Sequence, residues 1–319
     1  MLKKLLTTTV AVAALTSPAF AERTLTFGLQ NNETSNLYQG VVEFKETLEA
    51  VSGGELTLNI FPNASLGNFK AMVEQVQAGE LDFVMTGYPD MSYLIPELTL
   101  VGAPYVVDDF AHLQRIVDGP WGQEMNAKME EENIHLVDVW YQGTRQTTSN
   151  RAINSLEDMA GLRLRTPGVP FLIAYAENTG ATPAPVAFQE VYLALQTNQV
   201  DAQENPLPTI EAMKFYEVQS HIALTNHFIA SAAIQIGTST WNSLSDQEKA
   251  WVEAAANAGG ELSDGMTFQD EANLISVFEG RGLTITSPDT GPFRDAMKPY
   301  WDELEADFGE GAIAKIRGD

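Results

Sequence analysis

The sequence contains no cysteine in its 319 residues. That excludes disulfide staples, thiolate metal sites and a cysteine nucleophile. Histidine is nearly as scarce: His112, His135, His221 and His227 are all there are, and none has metal-ligand spacing. Basic residues are few, 18 Lys and Arg against 43 Asp and Glu, for a formal charge of −25. So acidic a chain repels nucleic acid and anionic lipid, and neither is an expected partner. Beyond the first residues no apolar run approaches the ~18 residues of a membrane-spanning helix. Also missing are a Gly-x-Ser-x-Gly elbow, a P-loop and a GxGxxG after a strand, so no catalytic residues are assigned. Nothing asks for a cofactor or a metal ion.

What is present begins with an export signal. MLKKLL is a short positive segment, LLTTTVAVAAL an apolar one, and SPAFA a small-residue cleavage site ending at Ala21. The expectation is a periplasmic chain running from Glu22 to Asp319. Loss of Lys3 and Lys4 takes the charge from −25 to −27. The remaining length suits one large or two ordinary domains, and it is enough to build a core without staples.

Alternation of elements then suggests an α/β fold with a parallel sheet. Strands are predicted at Leu25–Gln30, Leu56–Phe61 and Leu81–Met85, with helices at Leu37–Val51 and Gly67–Ala78 between them. A second α/β set follows Glu132, with strands at Ile134–Gln142 and Leu162–Arg165, helices at Phe171–Thr179 and EVYLALQ, and a short strand at QVDA. The break between the halves falls near Trp140–Arg145. In the C-terminal third, Ser245 and Glu248 form a capping-box pattern ahead of one long or kinked helix from Asp246 to about Gly280.

Four of the nine arginines, Arg145, Arg151, Arg163 and Arg165, lie between Gly143 and Arg165. In LRLR a two-residue period puts Leu162 and Leu164 on one face and the arginines on the other. Arg165 ends its strand at Thr166-Pro167-Gly168, and Arg145 follows the preceding strand. Ligands of open α/β sheets bind beyond the strand ends. Two guanidinium groups could therefore converge there on one anion, because a planar fork suits a carboxylate. The same arginines could instead neutralise Glu157 and Asp158; position alone leaves Arg165 and Arg163 open, and Arg151 reads as a turn residue.

Several stretches carry a resemblance. GLRLRTPG, GATPAPVAFQEVYLALQTNQVDAQENPLPTI, KFYEVQSHIALTNH and FPNASLGNFKAMVEQVQAGELDF are similar to the DctP-type solute-binding proteins of TRAP transporters, over nearly the whole mature chain. GTRQTTSNRAINS further resembles the subgroup that binds sialic acid and other sugar acids. The resemblance implies a two-lobed, type II-like α/β binding protein with a hinge and a long C-terminal helix spanning both lobes. Lobe I would be 22–142 plus about 231–270, and lobe II 143–230 plus about 271–319. It also implies a monomer, not an enzyme, that closes on an organic acid and hands it to membrane permease subunits.

Carried over by motif, Arg165 pairs with the ligand carboxylate, Arg145 and Asn205 assist, Phe188 packs on the ligand, and Gln30 is a polar contact from the first lobe. The chain departs from sialate binders at TGYPDM, where Thr86, Tyr88 and Asp90 stand, and at Gly168. With Tyr88 joining Phe188 on the carbon skeleton and Gln30 with residues 86–90 reading distal hydroxyls, the expected ligand is a uronate or related sugar acid. Open alternatives are a periplasmic enzyme or sensor module acting on a sugar acid, and a binder of a dicarboxylate or keto acid.

Overall fold

The computed structural model describes residues 22–318. The export signal expected at residues 1–21, with its cleavage site, lies outside the described residues. The described residues form a two-lobed α/β fold around one mixed sheet. Its strands are β1 (Arg23–Gly28), β2 (Leu56–Phe61), β3 (Phe83–Thr86), β4 (Ile134–Ser149), β5 (Arg163–Thr166), β6 (Thr182–Pro185), β7 (Ala202–Pro206), β8 (His221–Gly237) and β9 (Thr284–Thr286). The order is β2-β1-β3-β8-β4-β7-β5-β6, with β9 added on β8.

The sheet is not wholly parallel as expected. β1 runs parallel to β2 and β3, and β5 parallel to β6 and β7, but β4 and β8 are long antiparallel strands between these two sets. β8 pairs β3 through Ala233–Ile236, while β4 pairs β7 through Arg145–Ser149. Together these two strands join the two parallel sets. β8 escaped detection because it is apolar on both faces at its centre and shows no alternation. β4 runs past the expected end at Gln142 to Ser149, so Arg145 lies within a strand and not beyond one. Likewise the short strand read at QVDA is displaced to Ala202–Pro206 and contains the QENP motif.

Register slips interrupt the β4–β8 ladder at three places. Val137 is an extra residue between Leu136 and Asp138, and Gln142 is extra between Tyr141 and Gly143. At the third, Arg145 faces Phe228 while Thr147 faces Ala223, so residues 224–227 of β8 loop out. Bulges bend the strand and re-aim side chains. Two of these three deliver groups to the site described below.

The first helix, Asn36–Val51, buries Val41, Phe44 and Leu48 under β1–β3. Phe27, Phe44 and Phe83 meet there at ring distances of 5.5–5.9 Å. The long helix spans Asp246–Gly280, and its start realises the capping box: Ser245 N–H donates to Glu248 Oε2 at 2.7 Å, and Glu248 N–H to Ser245 Oγ at 3.2 Å. Three short helices, Thr290–Ala296, Lys298–Phe308 and Ala312–Arg317, complete the chain.

First and long helices touch backbone to backbone. A Cβ on Gly259 would lie 2.5 Å from the Gly40 carbonyl oxygen and 2.8 Å from the Trp140 ring. A Cβ on Gly40 would meet Gly259 O at 2.8 Å. Neither carbonyl can move without moving its helix, so the glycines set the helix spacing. Gly259→Ala is expected to destabilise the fold by about 1–3 kcal/mol, the usual range for overpacking. Urea unfolding measures this; unchanged or greater stability would show that the helices can separate freely.

Candidate functional site

A cavity of about 360 Å³ opens between the two parallel strand sets. Eight of the nine expected contacts line it: Arg145, Arg165, Asn205, Phe188, Gln30, Thr86, Asp90 and Gly168. Tyr88 does not. The 3₁₀ turn Tyr88–Tyr93 directs its ring into the core, where it is fully buried and its hydroxyl has no partner. Burial pushes its pKa up, so the phenol stays neutral. Tyr88 therefore does not face the cavity and cannot pack on a ligand there, contrary to expectation.

The four clustered arginines have four different surroundings. Arg151 Nη2 donates to the carbonyls of Asp158 and Ala160 at 2.8 and 2.7 Å, tying a turn. Arg163 grips Asp201 with two parallel bonds, 2.9 Å from Nε and 2.6 Å from Nη2, at the surface. Arg145 and Arg165 are the two that enter the cavity.

Arg145 already has a counter-charge. It stands opposite Pro206 of β7, which puts Glu204, two residues along, diagonally within reach. Its Nε and Nη2 form a fork on the fully buried Glu204 carboxylate, with Nη2 2.8 Å from Oε1, and Nη2 also donates to the Glu204 carbonyl at 2.7 Å. His227 sits within the looped-out part of β8 and approaches Glu204 Oε2 to 3.1 Å through Nε2. Its Nδ1 lies 2.9 Å from Thr225 Oγ1, and its ring stacks on Tyr175 at 4.0 Å. Burial lowers the His227 pKa, so the ring is neutral at pH 7, with Nε2–H donating and Nδ1 accepting. Burial alone would raise the pKa of Glu204. The charge and hydrogen bonds of Arg145, joined by His227, outweigh it and hold the carboxyl well below its ordinary value.

Arg165 is different. Its side chain is 2% exposed, and no carboxylate pairs with it among the described residues. Nε and Nη2 both donate to one carbonyl, that of Val186, at 3.0 and 2.8 Å. Burial pushes its pKa down to about 9, with Glu204 opposing and Arg145 adding to the fall. That leaves it cationic at neutral pH. A buried charge without a partner is costly, and an anion in the cavity would relieve it.

Asp90 lies on the β3 side of the cavity. Burial raises its pKa to about 6, against the charge of Arg145 and the backbone N–H of Gly87. Its carboxyl folds over Gly87, where a Cβ would come within 2.7 Å of it, so position 87 has to be glycine while Asp90 keeps this pose. Gly168 has nothing within 4 Å of where its Cβ would be, and it leaves that wall open. Thr86 Oγ1 donates to Gln235 Oε1 at 3.1 Å, and Asn205 Nδ2 to Gln203 Oε1 at 2.6 Å. At the mouth, Gln189 Nε2 donates to the carbonyl of Gln30 at 3.1 Å, joining opposite walls.

Sequence reasoning missed Lys70, Gln142 and Ser231, which also line the cavity. Lys70 rests over the Tyr93 ring, 4.9 Å from its centroid. Ser231 Oγ is buried and has no partner. Lys70 was legible as a cation at the start of a predicted helix; Gln142 and Ser231 depend on a bulge and on a strand that carry no periodic signal. His227 and Glu204 were also missed.

Comparison with known proteins identifies the family. The profile described as "Bacterial extracellular solute-binding protein, family 7" matches residues 27–307. The sialic acid-binding periplasmic protein SiaP of Vibrio cholerae is 41% identical over 97% of this chain and 97% of its own length. The 2,3-diketo-L-gulonate-binding periplasmic protein YiaO of Escherichia coli is 31% identical over 90% of this chain and 88% of its own. Among solved structures, a TRAP periplasmic solute-binding protein of Roseobacter denitrificans with bound L-galactonate is 29% identical. It superposes with a TM-score of 0.86, covering 94% of this chain and 99% of that one.

The buried pair makes a pH prediction. The folded pKa of Glu204 lies below its ordinary 4.5, so its contribution is complete above 4.5 and is lost as pH falls through the folded value. Glu204→Gln is expected to lose roughly 3–5 kcal/mol at pH 7, because Arg145 is left unpaired. The same variant should flatten the acid limb of the stability–pH curve. Denaturant unfolding from pH 7 down to about 2, where the folded carboxyl titrates, checks both, and an acid limb that Gln leaves intact would mean that other carboxylates set it.

Proposed function

Because the chain belongs to the bacterial extracellular solute-binding proteins of family 7, we propose that it captures a uronate or related sugar acid by hinge closure and delivers it to the membrane permease of a TRAP transporter. The members and neighbours it resembles are binding proteins of transporters, not enzymes. The carrying observation is Arg165: a buried, cationic guanidinium that faces the cavity without a carboxylate partner. It would take the ligand carboxylate. Arg145, already matched by Glu204, would add hydrogen bonds rather than net charge, with Asn205 beside it.

Asp90 favours a hydroxylated acid over a dicarboxylate. It is an acceptor that needs a donor, which a sugar hydroxyl supplies, whereas a second carboxylate would meet its charge. Phe188 would pack on the carbon skeleton, and Gln30 and Thr86 would contact the distal end. A ligand held by both walls stabilises the closed form by its differential affinity. On this reading lobe I would be 22–142 plus about 231–270 and lobe II 143–230 plus about 271–319, and export would end with cleavage after Ala21. A second reading, sialic acid, is favoured by the relative from Vibrio cholerae.

A thermal-shift panel of D-glucuronate, D-galacturonate, galactonate, N-acetylneuraminate, succinate and an uncharged hexose tests the proposal. A ligand at 1,000 times its dissociation constant stabilises a fold by about 4 kcal/mol. Shifts are expected from D-glucuronate, D-galacturonate or galactonate, with N-acetylneuraminate and succinate weak and the hexose silent. Arg165→Ala should weaken binding roughly 100-fold or more, as loss of two charge-assisted hydrogen bonds implies. Equal stabilisation by the hexose would end the carboxylate reading, and a response to N-acetylneuraminate alone would decide for the second.

A further inference from the structure

The bulge in β4 that carries Gln142 to the cavity is held from behind by the long helix. Asp264 Oδ1 accepts from the backbone N–H of Tyr141 at 2.6 Å. Glu271 Oε1 accepts from the backbone N–H of Thr144 at 2.6 Å, and its Oε2 accepts from the Tyr141 hydroxyl at 2.8 Å. That hydroxyl also lies 2.8 Å from Thr144 Oγ1. Between the two carboxylates, the Phe268 ring packs on the Tyr141 ring at 4.8 Å. Residues 264, 268 and 271 follow the i, i+4, i+7 spacing of one helix face.

These contacts converge on one irregularity. The register slip between Tyr141 and Gly143 leaves Gln142 unmatched in the ladder with β8. Gly143 has φ +119°, and a Cβ there would lie 2.7 Å from the Pro206 Cβ and 3.3 Å from Glu271 Oε1. Backbone N–H groups displaced by a bulge need acceptors, and the helix supplies two of them. Just beyond the bulge stands Arg145, and both it and Gln142 line the cavity. The clasp also accounts for Phe268, which is an aromatic residue 53% exposed on a helix surface.

We infer that Asp264, Phe268 and Glu271 are positioning residues: they clasp residues 141–144 of β4 and so fix where Gln142 and Arg145 meet the ligand. This rests on the sugar-acid reading for its ligand, but not for its geometry. The acceptor oxygen matters rather than the charge, so Asp264→Asn and Glu271→Gln retain the function while Asp264→Ala and Glu271→Ala lose it.

The test combines affinity with hydrogen exchange measured amide by amide. In the alanine variants the Tyr141 or Thr144 amide should exchange faster, and affinity for whichever sugar acid the wild type binds should fall roughly 10-fold or more, the scale of a small misplacement in a site. The Asn and Gln variants should stay within about 3-fold of wild type on both counts. If the alanine variants do not fold, Phe268→Ala decides the matter, since its ring is half in solvent. It should speed exchange at Tyr141 and weaken binding. Fast exchange with unchanged affinity overturns the inference, as does an equal loss in the Asn and Gln variants. If the wild type binds no sugar acid, the functional reading falls, yet slow exchange that the alanine substitutions leave slow would still refute the clasp.

Discussion

Two guanidinium groups are withdrawn from water at the centre of an acidic chain, and the site follows from how each charge is met. Arg145 receives a resident carboxylate, Glu204, held in turn by a neutral His227. Arg165 receives only a carbonyl. A buried guanidinium without a carboxylate is left beside the cavity, and it is there that the proposed ligand carboxylate would sit. The asymmetry separates the two electrostatically: one arginine is neutralised within the protein and the other is not, although both line the cavity.

The sheet makes that asymmetry possible. β4 and β8 lie between the two parallel sets, and their mismatched stretches are where they cease to be mere scaffolding. One slip pushes Gln142 into the cavity; another loops out the segment that carries Thr225 and His227 toward Glu204. Regular strands with a two-residue period could not have presented these groups together. Behind them, close helix contact at Gly40 and Gly259 keeps the long helix against Trp140, next to the strand it braces.

Legibility in the sequence followed the range of each interaction. The start of the long helix is readable to the residue because its capping box is local, and β2 because apolar and polar residues alternate through most of it. Arg165 stood out by strand position and motif, and the structure does bring it to the cavity with Arg145 and Asn205. Tyr88 misled because its neighbours Thr86 and Asp90 do line the cavity, while a 3₁₀ turn sends its own ring inward. The pairing of Arg145 with Glu204 joins residues 59 positions apart, and nothing local marks it. β8 was invisible for the reason that makes it central: both faces of its middle are buried, so polarity carries no rhythm.

Outside the cavity the molecule is strongly negative, with a formal charge of −25 over the full chain. An anion approaching from bulk solvent meets repulsion first and attraction only within the cleft. The repulsion reaches about one Debye length, ~8 Å at physiological ionic strength, whereas the buried arginine is screened far less. Salt therefore lowers the outer barrier more than it weakens the grip inside. Capture by this protein is gated by the ionic medium around it, and a saline surrounding is the one in which so acidic a shell obstructs an acidic ligand least.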